Sequence, residues 1–330
     1  MSLAAAARAR AARLRARVSD LLARRDEVVG INRRNLALVY PENPRRHYPL
    51  ADDKLLAKER FAAAGVPVAA TLAVCDGLFA VPAAVEALRG RGRFVVKPAN
   101  GSGGGGIVVV GDWDPERGAW RRAGGEELRP VELARHLADV VFGVYSNQLE
   151  DRAFVEERIV PHPLFAALWA DGLCDVRVIT LRGEPLMAMI RVPTAESGGR
   201  ANLHQGGLGI AVGLGTGRTF RALHHGRAVE RHPESGTPLL ELAVPDWAGI
   251  LSVARRAAGA VPLGYLGVDV VVDRARGPLV LEINARPGLE IQNVNGRGLW
   301  PAVAPVRAAG DDEARPAPTF DAGGLAGDAP

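Results

Sequence analysis

Apolar residues recur along this chain with two different periods, and the changes of period mark its elements. Leu14, Val18, Leu21 and Leu22 form one stripe of a helix expected over residues 3–28. Residues 30–49 carry Pro41, Pro44 and Pro49 and read as irregular. Asp52 and Asp53 stand ahead of a helix expected over 54–64, which Gly65 is placed to end. β-rich runs follow at 93–97 and 107–110, on either side of a glycine-rich loop. Helical spacing returns at 131–141 and 246–260, and 153–160 reads as extended. Two hairpins are expected, one joining 175–181 to 186–192 through Arg182-Gly183-Glu184, the other joining 268–272 to 279–283. Residues 301–330 are rich in Ala, Pro, Gly and Asp with little apolar periodicity, which predicts a disordered tail. Antiparallel hairpins mixed with helices predict an α+β fold rather than a doubly wound parallel sheet.

Composition narrows the class without naming it. No stretch approaches the ~20 apolar residues of a membrane span. The Ala- and Arg-rich start lacks the apolar core of a secretory signal. Cys75 and Cys174 have no metal or redox spacing, so a reducing cytoplasm is the expected location. The net charge of +4 hides a cluster of arginines within residues 1–50. No aromatic residue interleaves the helical ones, so they read as a solvated helix face rather than a nucleic-acid surface. Among 41 Lys and Arg residues, only Lys54, Lys58 and Lys97 are lysines. In so Arg-biased a chain, a retained lysine marks a place that needs a compact ammonium rather than a planar guanidinium.

Two motifs carry chemistry. In the first, Phe94-Val-Val-Lys97 delivers a lysine to Gly101-Ser102-Gly103-Gly104-Gly105-Gly106. Glycines in succession let backbone N–H groups crowd onto phosphate oxygens. The following Ile-Val-Val-Val is a strand former, which excludes a dinucleotide fingerprint, and no Gly-Lys-Ser/Thr ends the loop. In the second motif, a symmetric hairpin turning near Ala275-Arg276 sets Asp269 opposite Glu282, with Asn284 two residues on. Val268, Val270 and Val272 would then share the other face with Leu279, Leu281 and Ile283. Two carboxylates so close repel unless a cation lies between them, and magnesium suits such an oxygen set.

Taken in order, the motifs of residues 50–299 resemble the ATP-grasp superfamily and, within it, the alpha-L-glutamate ligase (RimK-like) branch. Asp53-Lys54 with Ala63-Ala-Gly65-Val-Pro67 is similar to the first nucleotide lysine and its helix, and Lys97 to the second, beneath the lid. Val155-Glu156-Glu157-Arg158-Ile159 resembles the hinge strand that reads adenine through Glu156, Glu157 and the backbone near Ile159. Asp175-Val-Arg177-Val and Arg191 resemble basic core strands near the reacting groups. Arg200-Ala-Asn202-Leu-His204-Gln-Gly-Gly207 resembles the substrate loop of that branch, and Leu281-Glu282-Ile-Asn284 its metal strand.

The resemblance implies two α+β lobes clasping a nucleotide over 51–300, with a lid over 90–160. Residues 1–50 would be a short helical extension in place of a larger N-terminal domain. It implies Lys54, Lys97 and Gly101, Ser102, Gly103, Gly104 and Gly106 on the phosphates of ATP. Magnesium, with manganese as a substitute, would lie on Asp269, Glu282 and Asn284, and Arg177, Arg191 and Asn202 would serve catalysis. The implied reaction joins a carboxylate to an amine through an acyl phosphate, adding glutamate or another amino acid to a small molecule or peptide. Arg286 stands where that branch commonly has a small polar residue and would add a cation to the substrate pocket. A phosphotransferase acting on a hydroxyl and a non-catalytic nucleotide-binding module are the alternatives; an oligomer is left open.

Overall fold

The protein is described by a computed structural model covering residues 25–101, 103–122 and 124–311. Most of the expected 3–28 helix, most of the N-terminal arginine cluster, and Ser102 lie outside the described residues. Two antiparallel sheets dominate. The smaller has the order β1-β6-β2-β3-β4-β5, from β1 (Thr71–Cys75), β2 (Phe94–Pro98), β3 (Val108–Asp114), β4 (Ala119–Arg122), β5 (Glu127–Leu128) and β6 (Ala153–Glu157). The larger runs β11-β10-β9-β8-β7-β12-β13. Its strands are β7 (Asp175–Leu181), β8 (Glu184–Val192), β9 (Leu208–Val212), β10 (Thr219–His224), β11 (Arg227–Ala228), β12 (Tyr265–Asp273) and β13 (Gly277–Asn284). The smaller lobe therefore begins at Thr71, before the residue 90 expected for the lid, because β1 pairs with β6 and completes that sheet.

Each sheet is held by apolar faces meeting helices. Helices α1 (Lys54–Ala63) and α4 (Trp247–Gly259) cover one face of the large sheet, where Phe61 and Ile250 pack with Val178, Ile190, Val268 and Val270. Its other face carries Ile179, Met189, Ala211 and Leu223 against Ile291 and Val294 of α5 (Glu290–Asn295) and Val303 of α6 (Trp300–Asp311). In the small lobe, α2 (Val81–Leu88) and α3 (Pro130–Val141) cover Phe94, Val96 and Val155. That leaves the side of Val95, Lys97, Phe154 and Glu156 for the cleft, since alternate strand residues face opposite ways. Burying a Val, Leu or Ile side chain contributes roughly 1.5–3 kcal/mol, so these faces fix the register strongly.

Three expectations are corrected. Residues 31–42 form a helical run, not an irregular stretch: Ile31–Arg34, a π-helical turn Asn35–Val39, then Tyr40–Glu42. Leu38 and Val39 bury their side chains in the core, and Pro41 falls in the last turn of the run, just after the π-helical turn. Asn43 fastens this run to the large sheet, donating to the Tyr265 and Ala285 carbonyls at 2.7 and 2.8 Å and accepting from Tyr265 N–H at 2.9 Å. Second, the tail expected from residue 301 begins instead as α6, anchored by Leu299 and Val303 in the core; the expected tail over 312–330 lies outside the described residues. Third, β12 is buried on both faces, and a bulge in β13 leaves Leu281 as the extra residue between the pairs Asp269↔Glu282 and Val270↔Val280. Leu279 therefore joins Val271 on the face of Asp269, and Val280 replaces it beside Val270.

Candidate active site

The expected pairing of Asp269 with Glu282 is present, and Asn284 lies opposite Gly267. What surrounds Asp269 is the new information. It is 0% exposed and is gripped by two guanidiniums. Arg177, its direct neighbour on β7, donates from Nε at 2.7 Å to Oδ1 and from Nη2 at 2.6 Å to Oδ2. Arg191 donates to the same Oδ2 at 2.6 Å and holds Asp175 through two further bonds of 2.7 and 2.8 Å. Asn284 donates to Asp269 at 3.3 Å. Burial would raise the Asp269 pKa, but Arg177 and Arg191 outweigh it and hold the carboxyl below the usual range. Asp175 goes the other way: burial pushes it up to about 7 against the pull of Arg191, with the Asp269 charge adding to the rise.

The cation that the two carboxylates were expected to need is thus partly supplied by the protein. Both Asp269 oxygens are committed to arginine, whereas Glu282 and Asn284 remain half-exposed beside it. A hard divalent ion fits that remaining oxygen set, with Glu282 as the charged donor and Asp269 behind it.

The lysines converge on Glu156 and the start of the glycine loop. Lys97, on β2, and Lys58, on α1, both pair with Glu156 of β6, Lys58 at 2.7 Å. Lys54 donates to the Gly101 carbonyl at the start of the glycine loop. Burial lowers the pKa of Lys54, partly offset by the negative charge of Glu282, and burial likewise lowers Lys58 against the pull of Glu156. Glu156 is held low by Lys97 and Lys58 although burial would raise it. Glu282 is thus near enough for its charge to act on Lys54. Sequence reasoning left Lys58 without a role, although the same scarcity of lysine that marked its two companions pointed to it.

The glycine loop is anchored at both ends. Asp151, 5% exposed, accepts from the Asn100 N–H and side chain and from the Ser146 hydroxyl. At the far end Gly106, at φ +73°, lies so close to Tyr145 that a Cβ would come within 2.6 Å of its ring, and His136 bonds the Gly106 carbonyl at 2.9 Å. No sequence signal pointed to Asp151 or His136, because each is recruited from a distant loop or helix. A Cβ on Gly104 would lie 3.1 Å from Arg200, so the loop tip rests against the 200–207 segment.

The other expected site residues make contacts of their own. Glu157 points away from the lysines and pairs with Arg276 at 3.1 Å. Ile159 packs with Ala69, Val271 and Leu279, an apolar patch with the character an adenine ring would need. Asn202 accepts from the His204 N–H at 3.1 Å, which makes it a turn residue in this structure. Arg286 pairs with Asp52 at 3.3 Å and lies over the Tyr48 ring, tying the residues ahead of α1 to the end of β13.

The model of the sugar-transfer associated ATP-grasp family matches residues 33–308, most of the chain. The chain belongs to that family. Its α+β architecture of two antiparallel sheets with helices is accordingly the ATP-grasp fold. Among similar proteins, a probable alpha-L-glutamate ligase of Xanthomonas axonopodis pv. citri is 28% identical over 251 residues, covering 76% of this chain and 62% of that protein. One of Sodalis glossinidius is 34% identical over 116 residues, 35% of this chain and 28% of its own length. The chain spans under two thirds of the length of these curated relatives. Solved structures similar to it include the ATP-grasp ligase PsnB complexed with a minimal precursor (16% identity, TM-score 0.44, covering 81% of this chain and 63% of that one). Another is biotin carboxylase from Campylobacter jejuni (17% identity, TM-score 0.46, covering 74% and 42%). Among the described residues of this ATP-grasp chain, no helix is long and apolar enough to cross a membrane.

Proposed function

We propose that this ATP-grasp chain is an ATP- and magnesium-dependent ligase that joins a carboxylate to an amine through an acyl phosphate. The observation that carries the reading is the cluster of three lysines at Glu156 and the start of the glycine loop, with Lys54 also within range of the Glu282 charge. Lys58 and Lys97 share the single carboxylate Glu156, an excess of positive charge suited to phosphates, and the glycine loop adds backbone N–H groups. The apolar patch of Ile159, Val271 and Leu279 would receive the base.

Magnesium would be held by Glu282 and Asn284 with Asp269 behind them, and when bound it neutralises phosphate-oxygen charge. Arg177 and Arg191 hold Asp269 in place behind that set. A substrate carboxylate oxygen bonds to the γ-phosphorus as the bond to ADP breaks. The amine nitrogen then bonds to the acyl carbon and inorganic phosphate leaves. In both steps the protein positions reactants and balances charge.

Glu282→Ala should lower carboxylate-dependent ADP release by at least about 10²-fold, and retained turnover refutes the assignment. Hydroxylamine should trap the intermediate as a hydroxamate. ADP release with no hydroxamate would favour transfer to a hydroxyl instead, and ATP binding without turnover across a panel of acids and amines would leave a binding module.

A further inference from the structure

We propose that Glu196, His224 and His225 form a binding site for a borderline divalent transition-metal ion of the zinc class, separate from the nucleotide cleft. The ligand-capable atoms of these three side chains lie within 4.8 Å of one another, the one such group among the described residues. They come from two segments distant in sequence. Glu196 lies in the 194–207 segment, while His224 ends β10 and His225 begins the turn to β11.

The local geometry favours ligation over a chance surface pair. His224 Nε2 is 3.1 Å from the Gly206 carbonyl, a bond that keeps the proton on Nε2 and leaves the Nδ1 lone pair for a metal. His225 Nε2 is 2.8 Å from Glu196 Oε2, and the two imidazole rings lie 4.1 Å apart. The β10–β11 turn has two central residues, His225 at φ +49° and Gly226 at φ +71°. Positive φ at the first of these positions is one that histidine adopts more readily than most residues, and the tight turn fixes where its ring sits. Glu196 is seated on Gly206, where a Cβ would come within 2.8 Å of its carboxyl carbon.

Two imidazoles and one carboxylate match the ligand set of an open zinc site, with solvent completing the coordination. This set is softer than the all-oxygen group of Glu282, Asp269 and Asn284, which suits magnesium, so the two sites differ in the ion they prefer. His225 also lines a cavity of ≈620 Å³ with His204, Arg221 and Glu290, which gives an ion access from solvent. Occupancy would staple the segment carrying Arg200, Asn202 and His204 to the edge of the large sheet. The proposal does not depend on the reaction assigned to the cleft.

The test is a calorimetric titration of metal-free full-length protein with Zn²⁺ in the presence of saturating Mg²⁺, with Co²⁺ absorption as a second readout. One Zn²⁺ per chain should bind, and the Co²⁺ form should show the visible bands of a four-coordinate site. His225→Asn keeps a residue that tolerates positive φ, and Glu196→Gln keeps shape; each should weaken binding by about tenfold or more. Glu282→Ala should leave this site intact. Zn²⁺ binding that is absent in the native chain, or unchanged in either variant, overturns the proposal. Should His225→Asn fail to fold by circular dichroism, Glu196→Gln decides alone.

Discussion

The two charged clusters of the site use charge in opposite ways. On the large sheet, Arg177 and Arg191 are interlocked with Asp175 and Asp269 through planar paired bonds of 2.6–2.8 Å, all four buried or nearly so. At Glu156, by contrast, Lys97 of β2 and Lys58 of α1 share one carboxylate, and Lys54 of α1 donates to a backbone carbonyl. Guanidiniums are planar, hold two oxygens at once and stay charged, which suits a fixed support. Ammoniums are compact and turn on a flexible stem, which suits contact with an arriving anion. The difference teaches that being charged and buried is not enough to mark a binding group. A group whose partners already match its charge holds the fold, whereas a surplus of one sign waits for a ligand.

That contrast can be broken by experiment, and the largest effect should come from Asp269→Asn. It strips a shared partner from two buried arginines and should cost about 3–5 kcal/mol of folding stability in denaturant melts. A loss below about 1 kcal/mol would show that the network is no structural support. Lys97→Arg should leave stability nearly unchanged yet lower ADP release by about 10²-fold, since a planar head cannot occupy the same place beside Glu156. Normal turnover would erase the distinction between the two kinds of cation. Lys58→Gln should raise the nucleotide dissociation constant by about five- to tenfold, the worth of roughly 1 kcal/mol for one partly screened charge. An unchanged constant in equilibrium binding would remove Lys58 from the phosphate-facing group.

The smallest effect belongs to the outer end of the same hairpin. Asp273 accepts from the Ala275, Arg276 and Val160 N–H groups and pairs with Arg276 at 3.1 Å. Burial would raise its carboxyl, but these bonds together bring it down to about 2. A carboxyl lowered on folding adds stability above its unfolded value near 4 and loses it as pH falls toward 2. Asp273→Asn should therefore lower the melting temperature at pH 7 and narrow the difference between pH 4 and pH 2. An unaltered difference would assign the acid sensitivity to other groups.

Much of this was legible because it is local. The 54–63 helix follows from Asp53, which caps it by accepting from the Leu55 and Leu56 N–H groups, whereas the ladder beside the β12–β13 turn is centred on Ala275 and would set Asp269 opposite Leu281, so that it is a bulge that brings Glu282 there. The bulge at Leu281 was not legible, since an extra residue leaves the apolar pattern nearly unchanged and is selected by packing on both faces. Nor was the helical run over 31–42: its prolines look like breaks until Leu38 and Val39 are seen to be buried. The α6 helix is a like case, an Ala- and Pro-rich stretch ordered by Leu299 and Val303 against β8 and α5.

By itself the sequence determined the alternation of strands and helices and the glycine loop behind Lys97, because each depends on residues near one another along the chain. Only the tertiary structure decided which charges are spoken for. Arg177 meets Asp269 across 92 residues and Lys58 meets Glu156 across 98, and no periodicity reports a partner so distant. Burial then decides what each pairing is worth, since the same ion pair that is nearly neutral in water becomes a support or a liability once water is excluded.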